Sequence, residues 1–168
     1  MKLGFMDLKI IPWAREYETA VIELILSIQR NEFHISITEA DQPDLKQVEE
    51  FYMRGNGNFW IALSQNQVIG TTALLDIGHH QVALRKMFVH KDFRGSLHSL
   101  ANKLLRTAID WCIERNIQDI YLGTVEVLKA AHRFYEKNGF NRIEKTHLPS
   151  NFPVMGVDTL FYHLSISR

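Results

Sequence analysis

Residues 82–101 constrain the fold of this chain more than any other segment. Residues 82–89 form an apolar run of the kind found in buried strands. A short turn containing Arg94 and Gly95 follows, and a long amphipathic segment comes after the turn. We therefore predict a strand, a glycine-containing turn and the N-terminus of a helix. This junction is a candidate phosphate site, because the first N–H groups of a helix lack partners within it and its dipole favours an anion there.

The segment after the turn has the clearest helical period in the sequence. Its apolar residues recur at spacings of three and four, whereas Lys103, Arg106 and Asp110 fall on the other side. This pattern predicts an amphipathic helix that packs against a sheet, with Asn116 as a terminator. The apolar positions are Leu97, Leu100, Ala101, Leu104, Leu105, Ala108, Ile109 and Cys112.

The remaining patterns predict an α/β protein. Further apolar runs typical of strands lie at residues 7–12, 58–63, 68–76, 117–124, 140–146 and 157–166. Helical spacing at residues 15–30, a proline-led start at 41–45 and an apolar stripe ending at 138–139 predict three further helices. The resulting order, βααβββαβαββ, describes a mixed, largely antiparallel twisted sheet of about seven strands flanked by about four helices.

Composition limits the classes of function. With 168 residues, the chain is long enough for one domain with a substantial core. Lys plus Arg and Asp plus Glu number 19 each, and this balance argues against general nucleic-acid binding. The single cysteine, Cys112, excludes an intramolecular disulfide and suits a reducing cytoplasm. No apolar run is long enough to span a bilayer, and the histidines are too scattered for a metal site. We expect a cytoplasmic protein that has no metal and binds neither membrane nor nucleic acid.

Three pieces between Leu84 and Phe140 carry a resemblance to a known family. They are the strand Leu84–Val89 with Phe93-Arg94-Gly95, the amphipathic helix with the strand Ile120–Thr124, and the run Ala131–Phe140 with its Phe-Tyr and Gly-Phe pairs. In this order and spacing they resemble the GNAT superfamily of acetyl-CoA-dependent N-acetyltransferases. The resemblance implies a GNAT-type fold and a single N-acetyltransferase domain over residues 1–168. It also implies acetyl-CoA as acetyl donor, a small-molecule or peptide amine as acceptor, and a homodimer as one assembly found in the family.

A closer likeness comes from the N-terminal third of the chain. Residues 28–33, 41–45 and 58–60 are similar to the acetyltransferase half of proteins that join this domain to a winged-helix regulator. Since no winged-helix segment is present in the sequence, this likeness implies no DNA binding for the chain.

The resemblance also implies which residues bind the cofactor. The backbone of the strand would pair with the pantetheine arm, and the N–H of Phe88 or Val89 would polarise the thioester carbonyl. Arg94 and the N–H groups that follow it would hold the pyrophosphate, although Ser99 stands where the family has a glycine and the turn is about two residues longer. Leu128 replaces an asparagine that helps hold the arm in many members. The predicted cofactor contacts are Met87, Phe88, Val89, Arg94, Gly95, Ser96, Leu97, His98, Ser99, Leu100, Ala101, Thr124, Ala131 and Lys137.

Catalysis has one candidate acid and several candidate bases. By its place in the last motif, Tyr135 would protonate the departing thiolate; alternatively it is a core aromatic. His98 is either a phosphate contact or a turn residue, and Lys137 is either an adenosine-phosphate contact or a cation near a helix C-terminus. The amine could lose its proton to a water chain or to Asp76, His79, Glu32 or Glu126. Five aromatic residues either line an acceptor pocket or belong to the core: Phe33, Phe51, Tyr52, Trp60 and Phe152.

Two other functions fit the same sequence. One is a non-catalytic acyl-CoA-binding regulatory module, which the altered turn and the missing base would explain. The other is a structural or partner-binding domain that binds no cofactor.

Overall fold

Seven strands form one mixed sheet in a computed structural model that describes residues 7–95 and 99–166. The strand order across the sheet is β1-β2-β3-β4-β5-β7-β6, and all neighbours are antiparallel except β4 and β5. The predicted fold class is therefore confirmed. The strands are β1 (Leu8–Pro12), β2 (Asn58–Ser64), β3 (Gln67–Gly78), β4 (Gln81–Val89), β5 (Asp119–Thr124), β6 (Asn141–Ile143) and β7 (Leu160–Ser165).

Four α-helices cover the two faces of this sheet. They are α1 (Glu18–Leu26), α2 (Val48–Phe51), α3 (Leu100–Glu114) and α4 (Lys129–Lys137). The first two pack around Ile25, Tyr52 and Phe59 in one apolar cluster, and the last two pack against β4 and β5 in another. Because helices cover both faces, every residue of β2 is buried.

The sequence signals for the central elements hold in the structure. Gln65 and Asn66 both have positive φ angles, as the two-residue β2–β3 hairpin requires. The apolar stripe of α3 buries Leu104, Leu105 and Ala108 completely or nearly so. Asn116, with φ of 59°, lies two residues after the end of α3 and stops it in the left-handed conformation.

The predicted helix over residues 15–30 is only partly α-helical. After α1 the chain continues as a π-helical segment, Ser27–Glu32. This wider turn directs Ile28 and Gln29 inward, and both are buried. Such turns are rare and occur mostly within or beside α-helices at functional sites.

Two other elements are shorter than predicted. The proline-led start at Pro43 opens a 3₁₀ turn, Pro43–Lys46, which is followed by the single turn of α2. The strand predicted over residues 140–146 ends at Ile143, and a 3₁₀ turn, Lys145–His147, follows it. In the part of the chain that the structure describes, no helix has the length and apolar character needed to cross a bilayer.

Gly57, at the entry to β2, tests the packing between the β2–β3 hairpin and α2. A Cβ added there would lie 2.4 Å from the carbonyl oxygen of Tyr52 and 2.6 Å from that of Leu74, and neither backbone atom can move freely. We expect Gly57→Ala to lower the free energy of unfolding by about 3 kcal/mol, the upper range for overpacking. Gly156→Ala is the control, since a Cβ there meets nothing within 4 Å. Urea denaturation measures both, and equal stabilities would contradict this account.

Candidate active site

The sheet opens between β4 and β5. Their register pairs are Gln81 with Asp119, Val82 with Ile120, and Ala83 with Tyr121, and no later pair follows in either described strand. Beyond this point β4 continues along β3 to Val89, and β5 continues along β7 to Thr124. Two cavities flank the opening, and Phe88 borders both.

The larger cavity has a volume of about 410 Å³. It lies between the end of β4, the start of α3 and one side of α4. Its lining is mostly apolar, with polar groups concentrated at the α3 end. The lining residues are Ile28, Phe33, Met87, Phe88, Val89, Arg94, Gly95, Ser99, Ala101, Asn102, Leu128, Ala130, Ala131, Phe134, Tyr135, Lys137 and Asn138.

The register of β4 decides which of its peptide groups face the opening. The N–H of His90 donates to the carbonyl of Ile69 at 2.8 Å, so the adjacent pair, Val89 with Gly70, is a non-hydrogen-bonded pair. The N–H and C=O of Val89 therefore point away from β3. In agreement, the Arg94 Nε donates to the Val89 oxygen at 2.8 Å. Because peptide groups alternate along a strand, the N–H of Phe88, which pairs with Thr71, faces β3.

The start of α3 supplies backbone donors at one end of the larger cavity. The first hydrogen bond of this helix runs from the N–H of Lys103 to the Ser99 oxygen at 3.0 Å. The N–H groups of the three residues between them therefore have no carbonyl within the helix. Ser99 is in the left-handed conformation (φ 49°, ψ 27°) and makes no side-chain capping bond. Serine thus reaches here the backbone conformation for which glycine is the usual residue.

Arg94 is already engaged at this end of the cavity. Its guanidinium forms a two-point ion pair with Glu32, in which Nη1 contacts Oε1 and Nη2 donates to Oε2 at 2.9 Å. The Arg94 guanidinium holds the pKa of the Glu32 carboxyl below its usual value, chiefly through this hydrogen bond. Glu32 is consequently a poor candidate for the base.

Tyr135 lies at the inner end of the larger cavity. It is 7% exposed and packs edge-on against Phe134 and Phe140. Burial raises the pKa of its hydroxyl above the usual value, so the phenol keeps its proton at neutral pH and acts as a donor. Its hydroxyl forms no hydrogen bond within the described part of the chain.

The smaller cavity, of about 110 Å³, lies on the other side of Phe88. Segments distant in the sequence build it: the π-helical turn, the loop before Pro43, the middle of β4 and the loop before β7. Charged and amide side chains are prominent in it. The lining residues are Gln29, Ile37, Gln42, Leu84, Arg85, Lys86, Phe88, Gly123, Phe152, Pro153, Met155, Val157 and Asp158.

A bulge in β4 places two consecutive charged residues at this cavity. Thr71 pairs with Phe88 and Ala73 pairs with Arg85, so β4 has one residue more than β3 between these pairs. Lys86 takes the left-handed conformation there, with φ of 55°. In a regular strand, neighbours point to opposite faces, but here Arg85 and Lys86 both line one cavity.

Lys86 is buried in a polar network. Its ammonium lies 2.5 Å from Gln42 Oε1 and 3.5 Å from Asp44 Oδ2. Gln42 also exchanges amide hydrogen bonds with Gln29, and the hydroxyl of Tyr52 donates to Asp44 at 2.6 Å. Burial lowers the pKa of Lys86 to about 8, although Asp44 opposes the shift.

Nine of the predicted cofactor contacts line the larger cavity, and two other described contacts do not. Leu100 is 1% exposed and packs in the core through its side chain. Thr124 ends the pairing of β5 with β7 and lies outside the lining, because β5 has by then turned away from β4. Ser96, Leu97 and His98 lie outside the described residues.

The remaining candidate bases line neither cavity. Asp76 accepts hydrogen bonds from the N–H groups of Asn56 and Gly78. His79 lies in the β3–β4 turn, and Glu126 is an exposed partner of Lys129. Among the described residues, no group of three or more potential ligands is arranged to hold a metal ion.

The predicted aromatic residues of an acceptor pocket are divided by the structure. Phe152 lines the smaller cavity, whereas Phe33 lines the larger one. Tyr52 and Trp60 are core residues, and Phe51 packs against the same core cluster as Tyr52.

Sequence reasoning missed Arg85, Lys86 and Asp158. The first two stand in an apolar run, where a single charged position is usually solvent-facing. Asp158 belongs to a loop whose contact with β5 depends on the folded chain: a Cβ at Gly123 would lie 2.4 Å from Asp158 Oδ2. A usable signal was the glycine itself, since a strand glycine often marks the close approach of another group.

The lowered pKa of Lys86 predicts a pH-dependent stability. Between pH 8 and 10.5 the unfolded chain holds a proton on this lysine that the folded chain has lost, so stability rises with pH in this window. Below pH 8 the cost of the buried charge is fully present. We expect Lys86→Met to remove a rise of up to about 3 kcal/mol, measured by denaturation at pH 8 and pH 10. The unpaired Asp44 adds an offset that is constant in this window, and an unchanged slope would contradict the assignment.

Comparison with known proteins agrees with this architecture. A GNAT-family acetyltransferase from Staphylococcus aureus Mu50 is 41% identical, with a TM-score of 0.92 over 96% of this chain and 100% of that chain. An acetyltransferase from Streptococcus agalactiae 2603 is 29% identical, with the same TM-score and the same coverage of 96% and 100%. An N-acetyltransferase from Thermoplasma acidophilum, solved in complex with coenzyme A, shares the fold at 15% identity and a TM-score of 0.72 over 96% of this chain and 100% of that chain.

Curated relatives are longer than this chain. The N-acetylaspartate synthetase of Danio rerio is 37% identical over 105 residues, which are 61% of this chain and 36% of the relative. That of Xenopus tropicalis is 30% identical over 129 residues, which are 74% of this chain and 47% of the relative. The chain thus spans less than half the length of either. A family model for the acetyltransferase (GNAT) family matches residues 7–140. This match covers most of the sequence, and the protein belongs to the acetyltransferase (GNAT) family.

Proposed function

We propose that the protein transfers an acetyl group from acetyl-CoA to a primary amine of a small molecule or peptide by direct attack in a ternary complex. The observation that carries this proposal is the meeting of two cavities at Phe88, where β4 and β5 separate. A thioester in the larger cavity and an amine in the smaller one would meet at this point. Direct attack also fits the only cysteine, Cys112, which is fully buried in the core with a pKa raised by burial to about 12.

The larger cavity has the chemistry that a CoA ester requires. Open backbone at Gly95 and the donors at the start of α3 suit a pyrophosphate, since a Cβ at Gly95 would meet no described residue within 4 Å. The peptide groups of Met87 and Val89 would pair with the pantetheine amides, and one of these N–H groups would polarise the thioester carbonyl. Lys137 would contact the adenosine phosphate, and Ala131 would leave room for the arm. The coenzyme A complex of the Thermoplasma protein shows a fold of this kind accommodating the ligand.

Tyr135 is our candidate for the acid. Tyr135 lines the larger cavity together with Met87, Phe88 and Val89 of β4, and its neutral hydroxyl would supply the proton that a departing thiolate needs. A core aromatic would give the same packing, and kinetics separate the two roles.

A second candidate function is a non-catalytic acyl-CoA-binding regulatory module. The ion pair between Glu32 and Arg94 favours it, because the arginine that would hold the pyrophosphate already has a carboxylate partner. Thiol release with a panel of amines, together with calorimetry of acetyl-CoA binding, separates the two functions. Aspartate belongs in the panel, since two relatives are N-acetylaspartate synthetases. Binding without turnover of any amine would support the module and overturn the enzyme.

Three further features stay predictions. We propose that residues 1–168 act as one N-acetyltransferase domain and that it forms a homodimer. We also propose that the N-terminal region is of the type found in the acetyltransferase half of winged-helix fusions. The likeness of residues 28–33, 41–45 and 58–60 to that half supports this.

Replacing Tyr135 with phenylalanine tests the acid. We expect Tyr135→Phe to lower kcat about 100-fold while the Kd for CoA changes less than threefold, because the ring still fills its place. Steady-state thiol release and calorimetry measure the two quantities. Tyr121→Phe is the control, since Tyr121 lines neither cavity. An unchanged kcat in Tyr135→Phe would remove this residue from the acid role.

Glu32 should compete with the pyrophosphate for Arg94. We expect Glu32→Gln to tighten CoA binding about threefold to fivefold, the range for a partly exposed ion pair. Calorimetry at low salt measures the effect, and 0.5 M NaCl should reduce it. Glu126→Gln makes the same charge change at an exposed position outside both cavities. Weaker binding by Glu32→Gln would mean that the pair organises the site instead of competing for it.

A further inference from the structure

The charges of the smaller cavity do not all cancel within the protein. Lys86 has Asp44 and Gln42 as partners. Arg85 and Asp158 are the other two charged residues that line this cavity. They are close enough for Arg85 to lower the pKa of Asp158, yet no ion pair joins them in the described structure. A cation and an anion thus line one cavity without forming an ion pair among the described residues.

Arg85 is held in place but lacks an anion. Its guanidinium lies 5.6 Å from the ring centre of Phe51 and 5.8 Å from that of Tyr52, within the range of a cation–π contact. Its one hydrogen bond among the described residues goes to Met155 Sδ at 2.9 Å. A thioether is a weak acceptor, and a guanidinium has five donors. The side chain is only half-buried, so its other donors can reach a ligand in the cavity, and a carboxylate is their best match.

Asp158 lies at the point where β5 leaves β4. Its Oδ2 accepts the N–H of Met155 at 3.2 Å and lies against the backbone of Gly123. Burial raises the pKa of this carboxyl despite the nearby Arg85 and Lys86. A partly desolvated carboxylate of this kind binds an ammonium and takes a proton from it more readily than a solvated one.

We propose that the smaller cavity is the acceptor site for an amino acid with a free carboxylate, which Arg85 binds, while Asp158 holds the amino group and takes its proton. This inference rests on the proposed function and narrows its acceptor from any amine to this class. A peptide N-terminus lacks the α-carboxylate and would leave Arg85 without its partner. The cavity of about 110 Å³ suits a single small residue better than a chain.

Protons and bonds balance over the transfer. The ammonium gives one proton to Asp158, and the neutral nitrogen attacks the thioester carbon. The C–N bond forms and the C–S bond breaks; the sulfur takes a proton from Tyr135. The second amine proton leaves through solvent and restores that of Tyr135. One proton per turnover is released as Asp158 ionises again.

Amino acids and their α-carboxamides form matched pairs of acceptors, because the amide removes the charge and keeps the shape. We expect the twenty common amino acids to include acceptors whose kcat/KM exceeds that of the matching amide at least tenfold. Arg85→Gln should raise KM for that amino acid about tenfold to hundredfold with little change in kcat, and should leave the amide unaffected. Asp158→Asn should lower kcat about 100-fold and remove the acidic limb of the pH–rate profile.

Controls and a binding measurement complete the test. Arg106→Gln and Asp110→Asn make the same changes in an exposed pair on α3 and should leave the kinetics unchanged. Calorimetry of amino-acid binding to the CoA complex separates the two proposals. Amides that serve as well as amino acids, or an Arg85→Gln variant without a KM effect, would overturn this inference while the enzyme stands. If amino-acid binding requires Arg85 but no acceptor is turned over, the proposed binding site stands and the proposed enzymatic activity is overturned. If the protein showed no binding and no turnover, both proposals would be overturned.

Discussion

The separation of β4 from β5 is the constraint on which the rest of the structure depends. The sheet consists of two parts, β1–β4 and β5–β7, which are joined by three register pairs only. Each strand then follows its other neighbour, and main-chain groups in the gap lose their partners. Inside a protein, an unpaired group of this kind costs about 1–3 kcal/mol, so a ligand that supplies partners is stabilised. One cavity lies on each side of this gap.

The bulge at Lys86 shapes the second side. A strand that continued regularly would point Arg85 and Lys86 to opposite faces. With the bulge, the protein must accommodate a buried ammonium, and Gln42 and Asp44 do so. The polar network therefore stabilises a backbone conformation that the strand would otherwise avoid, and it leaves Arg85 available at the cavity.

Local patterns predicted the parts of this structure that depend on local physics. The period of α3 and the terminator Asn116 are set by residues close in sequence. The same holds for the motif that places Tyr135 on α4. Contacts between distant segments could not be predicted in this way. Glu32 and Arg94 are 62 positions apart, and only the folded chain brings them together. The π-helical turn is likewise a product of tertiary packing, since its sequence continues the helical period.

That turn, Ser27–Glu32, has a consequence for how the two halves of the site communicate. Ile28 lines the larger cavity, Gln29 lines the smaller one, and Glu32 forms an ion pair with Arg94. One short segment of chain thus lies between the two cavities and lines both. It is a π-helical turn, which is a rare form of helix. A ligand that displaced the carboxylate of Glu32 would act on the same turn that carries Gln29. The two substrates of the proposed reaction would therefore bind against one short segment of main chain.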